Sequence, residues 1–416
     1  MNFKSHALSL AEFTSKYSPL WNKEIMNEYP ESIDDYPREW IDLLDSLTDD
    51  ELFDVDCKRP VEKLKGTSFE TFVQTIKTLS DIPKITPVPE LPLEDWAFQG
   101  VKKKKRHEIQ KIVPVLKKVR DEKKFDYVVD IGGGVGHLSR VLSHYHAIPS
   151  ISIDQNVEFQ EIGRGRLQKF RKIEGAQDVT FMNITFGKKE DDPELGKIFN
   201  EHSLGLGLHT CGALANTLIQ NTIDHHTMGL LSFGCCYHTL KANVDFPLST
   251  FYKEQHFPVL NLYGFTLATR SHAETTLETY KTKERVKKYR YALHLFLMKN
   301  FGKKSFIEVG ECHLSTYWEP FHVYISEKLN FLKLEHNFTN EDFDHFYEST
   351  EIQKDLREMF LCNVIRWQLG RVLEIYLQVD RCLYLEANGF EVKLEQYFEE
   401  ALSPRNLGIL ALQKEN

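Results

Sequence analysis

A glycine-rich loop follows an apolar, strand-like segment, and an acidic residue stands where the two meet. Asp130 ends the segment, and Gly132, Gly134 and Gly136 alternate after it. Glycine allows the positive φ angles of a sharp strand-to-helix turn and removes the Cβ that would obstruct a ligand. A helix predicted from His137 would then offer free N–H groups and a positive dipole end to a carboxylate or phosphate. The segment therefore predicts a binding loop.

The spacing of these glycines separates two ligand classes. The dinucleotide pattern G-x-G-x-x-G would need glycine where His137 stands. An alternating pattern after an acid suits S-adenosylmethionine, which carries an ammonium and a carboxylate but no pyrophosphate. Asp154 ends the next predicted strand, 18 residues after Gly136, where a carboxylate can accept hydrogen bonds from both ribose hydroxyls. We predict an S-adenosylmethionine site that includes Asp130 and Asp154, with Gly133 in its loop.

The end of the third predicted strand completes this cofactor site. Asn183 and Ile184 stand there, at the edge that lines the adenine in this fold, with the Asn183 amide reaching the exocyclic amine. Asparagine also commonly ends strands and starts turns, so a purely structural role for Asn183 stays open. Gln155, next to Asp154, is assigned to the same site.

Two clusters of reactive side chains follow the fourth and fifth predicted strands. The first runs from His209 to Gly212, and the second contains Cys236, Tyr237 and His238. Carboxyl ends of neighbouring parallel strands overhang the crevice where ligands bind in open α/β sheets. Our leading hypothesis makes His209, Cys236, Tyr237 and His238 catalytic, with a histidine as base or positioning group and Tyr237 as an aromatic wall. His209 is also assigned to the cofactor site.

Two other interpretations of these clusters stay open. Cys211, Cys235, Cys236 and the two histidines could bind zinc or an iron–sulfur cluster. Cys235 and Cys236 are adjacent and no C-x-x-C pair exists, so the sequence predicts no metal. Alternatively, these residues are buried at strand ends and carry no chemistry.

Strand-like and helix-like segments alternate from Phe125 onward, which predicts a parallel sheet covered by helices on both faces. Two closing strands with a short connection fit a last strand that runs antiparallel. The predicted fold class is α/β, a Rossmann-like seven-stranded class I methyltransferase core with an N-terminal helical domain and a helical insertion between strands five and six. The predicted strands span residues 127–130, 150–154, 179–183, 204–209, 229–235, 390–394 and 407–412.

Four predicted domains follow from the same patterns. Residues 1–95 are a helical accessory domain that ends in a proline-rich linker, since four prolines within residues 83–92 exclude a helix. Residues 96–244 are the methyltransferase core, residues 245–385 the helical insertion, and residues 386–416 the closing strands of the core.

The distribution of charge along the chain indicates which kinds of partner the protein could bind. The net charge is −9, yet residues 24–56 hold thirteen acids against one base, while residues 102–124 hold eleven Lys or Arg against three acids. The basic stretch suits RNA, and the acidic stretch suits a protein partner, although such runs are more often solvated faces. No apolar run approaches a membrane span, and no secretory signal is recognised. With seven cysteines, this predicts reduced thiols and a cytoplasmic location, with residues 102–105 as a candidate nuclear import signal.

Several of these motifs together resemble the methyltransferase-like protein twenty-five family, which includes proteins named for a ribosomal RNA adenine dimethylase domain. The strand-four and strand-five motifs are also similar to those of Trm-thirteen-type tRNA 2′-O-methyltransferases and of the glutathione-S-transferase C-terminal-domain-containing protein. The resemblance covers roughly residues 100–240 and the last thirty. It rests on Lys103–Glu108, Asp130–Arg140, His209–Gly212, Gly234–His238 and Leu402–Asn406.

The resemblance implies a Rossmann-like methyltransferase that uses S-adenosylmethionine, with His107 and Glu108 beside the cofactor. Ala213 departs from the aspartate expected after Cys211-Gly212, which puts substrate positioning in doubt. The leading functional prediction is RNA methylation. The alternatives are methylation of a protein side chain, or a non-catalytic assembly factor on a methyltransferase fold.

Overall fold

A seven-stranded sheet carries the predicted cofactor loop. The computed structural model describes residues 1–89, 93–187, 195–270, 272, 274–303 and 306–414. The strands lie in the order β3-β2-β1-β4-β5-β7-β6, with β7 antiparallel to both of its neighbours and the other pairs parallel. Their bounds are β1 (Tyr127–Ile131), β2 (Ser150–Asp154), β3 (Thr180–Asn183), β4 (Ser203–Cys211), β5 (Gly229–Cys235), β6 (Phe390–Gln396) and β7 (Leu407–Gln413). The predicted α/β fold is confirmed.

Helices make up most of the remaining described chain. None of those described is long and apolar enough to cross a membrane. In chain order they are α1 (Phe3–Lys16), α2 (Ser18–Trp21), α3 (Arg38–Asp45), α4 (Asp49–Asp56), α5 (Ser68–Leu79), α6 (Lys103–Lys123), α7 (His137–His146), α8 (Val157–Leu167), α9 (Leu195–Ile198), α10 (Ala213–Asp224), α11 (Thr250–Glu254), α12 (Leu262–Thr269), α13 (Leu277–Phe301), α14 (Phe321–Phe331), α15 (Asn340–Glu348), α16 (Thr350–Gln368) and α17 (Gly370–Ala387).

The sheet is covered by helices on both faces. Neighbouring residues of a strand point to opposite faces, so Val128 and Val129 of β1 enter different apolar clusters. Val128 lies in a cluster with Leu116 of α6, and Val129 lies in one with Leu218 of α10. The central strands β1, β4 and β5 are thus largely buried, and polar groups gather where β1 and β2 end.

The chain forms two compact units, and each is built from separate stretches of sequence. The first unit comprises Met1–Ser15, Leu79–Thr269 and Leu373–Asn416, and the second comprises Lys16–Thr78 and Arg270–Val372. The predicted accessory domain and the predicted insertion therefore each divide between the two units. Helical periodicity identifies an apolar helix face but does not say which neighbour that face meets.

Two segments show how these divisions arise. Most of α17, predicted as insertion, belongs to the first unit, where Asp380 accepts hydrogen bonds from the N–H groups of Leu248 (2.7 Å) and Ser249 (2.9 Å). Part of the predicted linker lies along β6, with the Gln396 N–H donating to the Pro83 carbonyl (2.8 Å). The end of that linker, residues 90–92, lies outside the described residues.

In the second unit, the acidic stretch 24–56 pairs with basic residues of the same unit. Asp45 pairs with Arg357 at 2.9 Å, and Asp49 pairs with Lys281 at 3.3 Å. Lys283 lies 3.8 Å from Asp56 and over the ring of Trp367. Acidic and basic runs that look like separate charged surfaces in the sequence therefore compensate each other in part within this unit.

A buried ion cluster lies in the second unit. Glu24 accepts hydrogen bonds from the Tyr291 hydroxyl (2.7 Å) and the Arg366 guanidinium (3.1 Å). Arg366 also donates to the carbonyls of Leu20 (3.0 Å) and Lys23 (2.7 Å). Burial acts to raise the pKa of Glu24, but the charges of Arg366 and Lys287 and the Tyr291 hydrogen bond outweigh it and hold that pKa well below its usual range. This carboxylate is fully compensated.

Candidate functional site

The glycine loop turns as its sequence predicts, between β1 and α7. Gly132, Gly134 and Gly136 have φ angles of 67°, 56° and 69°, in the region that favours glycine. At Gly133 the constraint is space, because a Cβ there would collide with the Ser152 hydroxyl. A Cβ at Gly136 would lie 2.7 Å from the Phe181 ring. These four positions, grouped by the sequence, therefore form one tight turn.

Asp154 at the end of β2 is fixed against this loop. One of its carboxylate oxygens accepts a hydrogen bond from the Gly134 N–H (2.9 Å), and the other accepts one from the Asn156 N–H (2.8 Å). Gln160 of α8 donates to the Gly134 carbonyl (2.9 Å), which holds the loop from its other side. Each carboxylate oxygen has two lone pairs, so the fixed group retains acceptor capacity for ligand hydroxyls.

Asp130 lies beneath the loop with little compensation. Its side chain is buried and accepts a hydrogen bond from the Ser139 hydroxyl of α7 (2.6 Å). Burial raises the pKa of this carboxyl to about 6, against the lowering effects of Ser139 and of the Lys105 charge. A carboxylate whose charge is disfavoured beside a ligand-binding loop is typical of a functional site.

The third-strand residues lie next to Asp154. The Asn183 amide donates to the Asp154 carbonyl (2.9 Å) and ties β3 to β2. Ile184 is half-buried and packs against the apolar cluster that contains Val129, and Gln155 is exposed. The structure thus groups Asp154, Gln155, Asn183 and Ile184 at one corner of the sheet.

His209 occupies an irregularity in β4. The pairing of β4 with β5 shifts register between Leu208 and Thr210, and His209 has a φ of 66°. Such bulges redirect a side chain, and a left-handed non-glycine residue stores strain that is common at functional sites. Here the His209 Nε2 atom lies 2.8 Å from the Glu108 Oε1 atom of α6.

Glu108 is the centre of a polar cluster. Its side chain is fully buried, the Ser403 hydroxyl donates to it (2.7 Å), and the Lys105 ammonium lies 3.4 Å away. Burial alone would raise the pKa of Glu108, but the hydrogen bond with His209, followed by the charges of His209 and Lys105, lowers it to about 2. Glu108 is therefore ionised and orients His209.

His107 contacts a different segment from its neighbour Glu108. Its Nε2 atom accepts a hydrogen bond from the Glu399 N–H (3.2 Å), and its ring packs edge-on against Phe398. The resemblance implied a cofactor role for His107. In the structure, Glu108 rather than His107 reaches the end of β4.

Tyr237 does not form the aromatic wall that the sequence suggested. Its side chain is fully buried, and its hydroxyl donates to the Gly234 carbonyl (3.1 Å) and accepts from the Gln378 amide of α17 (2.8 Å). Burial, with the nearby Glu374 charge, raises the pKa of this phenol well above its usual range. Tyr237 therefore supports the loop after β5 from inside, and a substrate cannot contact its ring in this arrangement.

Three thiols meet where β4 and β5 end. The Cys211 Sγ atom lies 3.2 Å from that of Cys235 and 3.4 Å from that of Cys236. The hydrogen bond with Cys235, aided by Cys236 and by the charges of His209 and His238, lowers the pKa of Cys211 to about 6 against the effect of burial. His238 is exposed beside this cluster, and its N–H donates to the Thr269 hydroxyl (2.9 Å).

Sequence reasoning missed several partners of these residues. Ser139 and Phe181, which contact Asp130 and the loop, carry no motif of their own. Ser403 belongs to the turn 402–406, which the sequence described only as a connection and a family motif, yet it reaches Glu108 across 295 residues. The signal in the sequence that could have identified Glu108 as a site residue was its position beside His107 in the motif shared with the family.

Comparisons with known proteins agree with this geometry. Residues 104–243 match the family described as "Methyltransferase domain". The chain is 27% identical over 243 residues to "Probable methyltransferase-like protein 25" of Homo sapiens, which covers 54% of this chain and 39% of the relative. It is 26% identical over 287 residues to the protein of the same name from Mus musculus, which covers 64% and 47%.

These matches confirm the predicted resemblance to methyltransferase-like proteins and the class I methyltransferase core. The matched segment contains the glycine loop, Asp154, His209 and the three thiols. The ribosomal RNA adenine dimethylase part of the resemblance stays a prediction. The chain spans less than half the length of these curated relatives in the aligned region.

Proposed function

We propose that this chain, which carries a methyltransferase domain, is an S-adenosylmethionine-dependent methyltransferase that acts on RNA. The observation that carries the cofactor assignment is the pair of carboxylates at the loop. Asp154 is held by the Gly134 N–H, and Asp130 is buried beneath the same turn, where it accepts a hydrogen bond from the Ser139 hydroxyl. That donor set suits a ligand with ribose hydroxyls and an ammonium.

The residues of the loop fit this cofactor group by group. Asp154 would accept the ribose hydroxyls, and Asp130 would stabilise the ammonium. The N–H groups at the start of α7 would bind the carboxylate. When bound, S-adenosylmethionine supplies a methyl group on a sulfonium sulfur. The corner formed by Gln155, Asn183 and Ile184 would hold the adenine.

The Glu108–His209 pair would serve the acceptor. Ionised Glu108 can only accept a hydrogen bond from Nε2, so in the neutral imidazole the proton would lie on Nε2 and Nδ1 would present its lone pair. His209 would then take a proton from the acceptor or position it, and Glu108 would stabilise the resulting imidazolium. This role rests on a fixed tautomer and does not require the Cys236 thiol.

RNA is proposed as acceptor because of the cations at the start of α6. Lys102, Lys103 and Lys104 are exposed at the helix N-terminus, where the helix dipole disfavours positive charge. The charge of Lys105 acts on both Asp130 and His137, so this basic segment adjoins the cofactor loop. A phosphate backbone that crosses the site would meet these cations.

Calorimetric titration with S-adenosylmethionine and S-adenosylhomocysteine tests the cofactor. We expect micromolar binding to the wild-type protein and loss of roughly 100-fold or more in Asp154→Ala, since two charge-assisted hydrogen bonds disappear. Asp126→Ala, at an exposed aspartate of the same unit, is the matched control and should bind normally. Absence of binding by folded wild-type protein would overturn the proposal.

Transfer of a labelled methyl group from the cofactor tests the acceptor. The proposal predicts label in RNase-sensitive material, and RNA binding that weakens as salt rises. Lys102→Glu/Lys103→Glu should weaken binding about tenfold, whereas Lys281→Gln/Lys288→Gln should change it little, because Lys281 and Lys288 pair with Asp49 and Glu284. Label in protease-sensitive material would favour protein methylation instead.

A further inference from the structure

Cys211, Cys235 and Cys236, here called the thiol cluster, are brought together by backbone geometry. Cys211 and Cys235 are register partners on the neighbouring parallel strands β4 and β5, so their side chains emerge side by side. Cys236 follows with a φ of 51°, and its Sγ atom lies 3.4 Å from that of Cys211. All three Sγ atoms lie within 4.8 Å of one another.

We propose that the thiol cluster binds a zinc ion. Thiolates are preferred zinc ligands, with Zn–S distances of about 2.3 Å, which places the sulfurs of a tetrahedral site about 3.8 Å apart. The observed separations of 3.2 Å and 3.4 Å are close to that value, so small side-chain rotations complete the site. Adjacent cysteines do not prevent this, because the third ligand comes from the neighbouring strand.

The site has the pattern of an open zinc centre. Among the described residues, the group of mutually close ligand atoms consists of these three thiols. Zinc with three protein ligands keeps a fourth position for water or another ligand, as in catalytic sites. Cys211 is exposed, so that position faces solvent at the carboxyl ends of β4 and β5.

Zinc binding would release the thiol protons, because thiols coordinate the metal as thiolates. Three thiolates and one Zn²⁺ carry a net charge of −1.

Elemental analysis of tag-free protein, purified under reducing conditions without chelators, tests the proposal. We expect about one zinc per chain, falling below roughly one tenth of that in Cys211→Ser and Cys236→Ser. Cys57→Ser, which changes a half-buried cysteine outside the cluster, should retain the metal. Circular dichroism melts establish that the variants fold.

A second measurement does not depend on the variants. Co²⁺ added to metal-free, reduced wild-type protein should give thiolate-to-cobalt charge-transfer bands and the intense visible bands of a tetrahedral site. Wild-type protein that contains no zinc and takes up no Co²⁺ would overturn the proposal. So would a native Cys211–Cys235 disulfide, seen as a mass loss of two hydrogens. Metal content is measured without methyl transfer, so this result is independent of the proposed function.

Discussion

Two carboxylates, one in each compact unit, lie in opposite electrostatic environments. Glu24 in the second unit has Arg366 at 3.1 Å and the Tyr291 hydroxyl at 2.7 Å, and its pKa is held below the usual range. Asp130 in the first unit has the Ser139 hydroxyl at 2.6 Å, and its pKa is raised to about 6. Glu24 is hydrogen-bonded to an arginine, whereas Asp130 is hydrogen-bonded to a hydroxyl, and the charge of Lys105 offsets the effect of its burial only in part.

Under the proposed function, the difference separates a structural charge from a ligand-binding one. An ion pair such as Glu24–Arg366 is costly to break, because the loss of one partner leaves the other charge unpaired. An uncompensated carboxylate such as Asp130 destabilises the folded chain, and a cationic ligand can relieve that cost. The predictions below probe this contrast.

The largest expected effect is the loss of the compensated pair. Arg366→Met leaves Glu24 buried without its main partner, so we expect the free energy of unfolding to fall by about 3–5 kcal/mol. Urea denaturation of the variant and the wild-type protein measures this fall in the free energy of unfolding. A double variant Arg366→Met/Glu24→Gln should recover part of the loss. A single variant as stable as wild type would contradict the assignment of Glu24 as a compensated structural charge.

A smaller effect is expected at the Glu108–His209 pair. Glu108→Gln removes the charge that stabilises an imidazolium, so kcat should fall about 100-fold while cofactor affinity changes little. Ser403→Ala removes a single neutral donor to Glu108 and should cost only a fewfold in kcat. Steady-state kinetics with the acceptor identified by the labelling experiment give both values. Equal falls in kcat for the two variants would contradict a special role for the Glu108 charge.

The smallest predicted effect is a pH dependence of cofactor binding. In the proposed site only ionised Asp130 would attract the cofactor ammonium, and burial raises the pKa of this carboxyl to about 6. Affinity should therefore fall as the pH drops through 6, by about fourfold between pH 7.5 and pH 5.5. Asp130→Asn should bind weakly at both values. A wild-type affinity that is flat over this range would mean that Asp130 does not act on the ammonium.

The sequence predicted the turn of the glycine loop because the relevant signals there are local. Glycines at alternate positions and acids at strand ends report on a single turn, and Gly134 and Asp154 are joined by a hydrogen bond as that pattern suggests. The strands were also predictable, because short buried runs between turn residues identify them. The seven observed strands lie within a few residues of their predicted bounds.

The rest of the site depends on contacts between distant parts of the chain. Glu108 and His209 are 101 residues apart, and no spacing rule pairs them. The sequence predicts Tyr237 in a pocket wall because the residues beside it are of reactive types. Its burial depends on Gln378 of α17, a helix that the sequence assigns to the insertion. The sequence predicts no metal at the thiol cluster because it lacks a C-x-x-C pair. The register of β4 and β5 nevertheless places Cys211 beside Cys235.

Asp130→Asn, studied by unfolding and by cofactor titration together, tests the central claim most directly. The folded-state pKa of about 6 exceeds the ordinary 3.8, so ionised Asp130 destabilises the folded protein as pH rises through that window. By pH 7 the cost is about 3 kcal/mol. We predict that the variant is more stable by that order at pH 7, by little near pH 4, and binds S-adenosylmethionine about 100-fold more weakly. A variant that is less stable at pH 7, or that binds the cofactor as wild type does, would contradict the account.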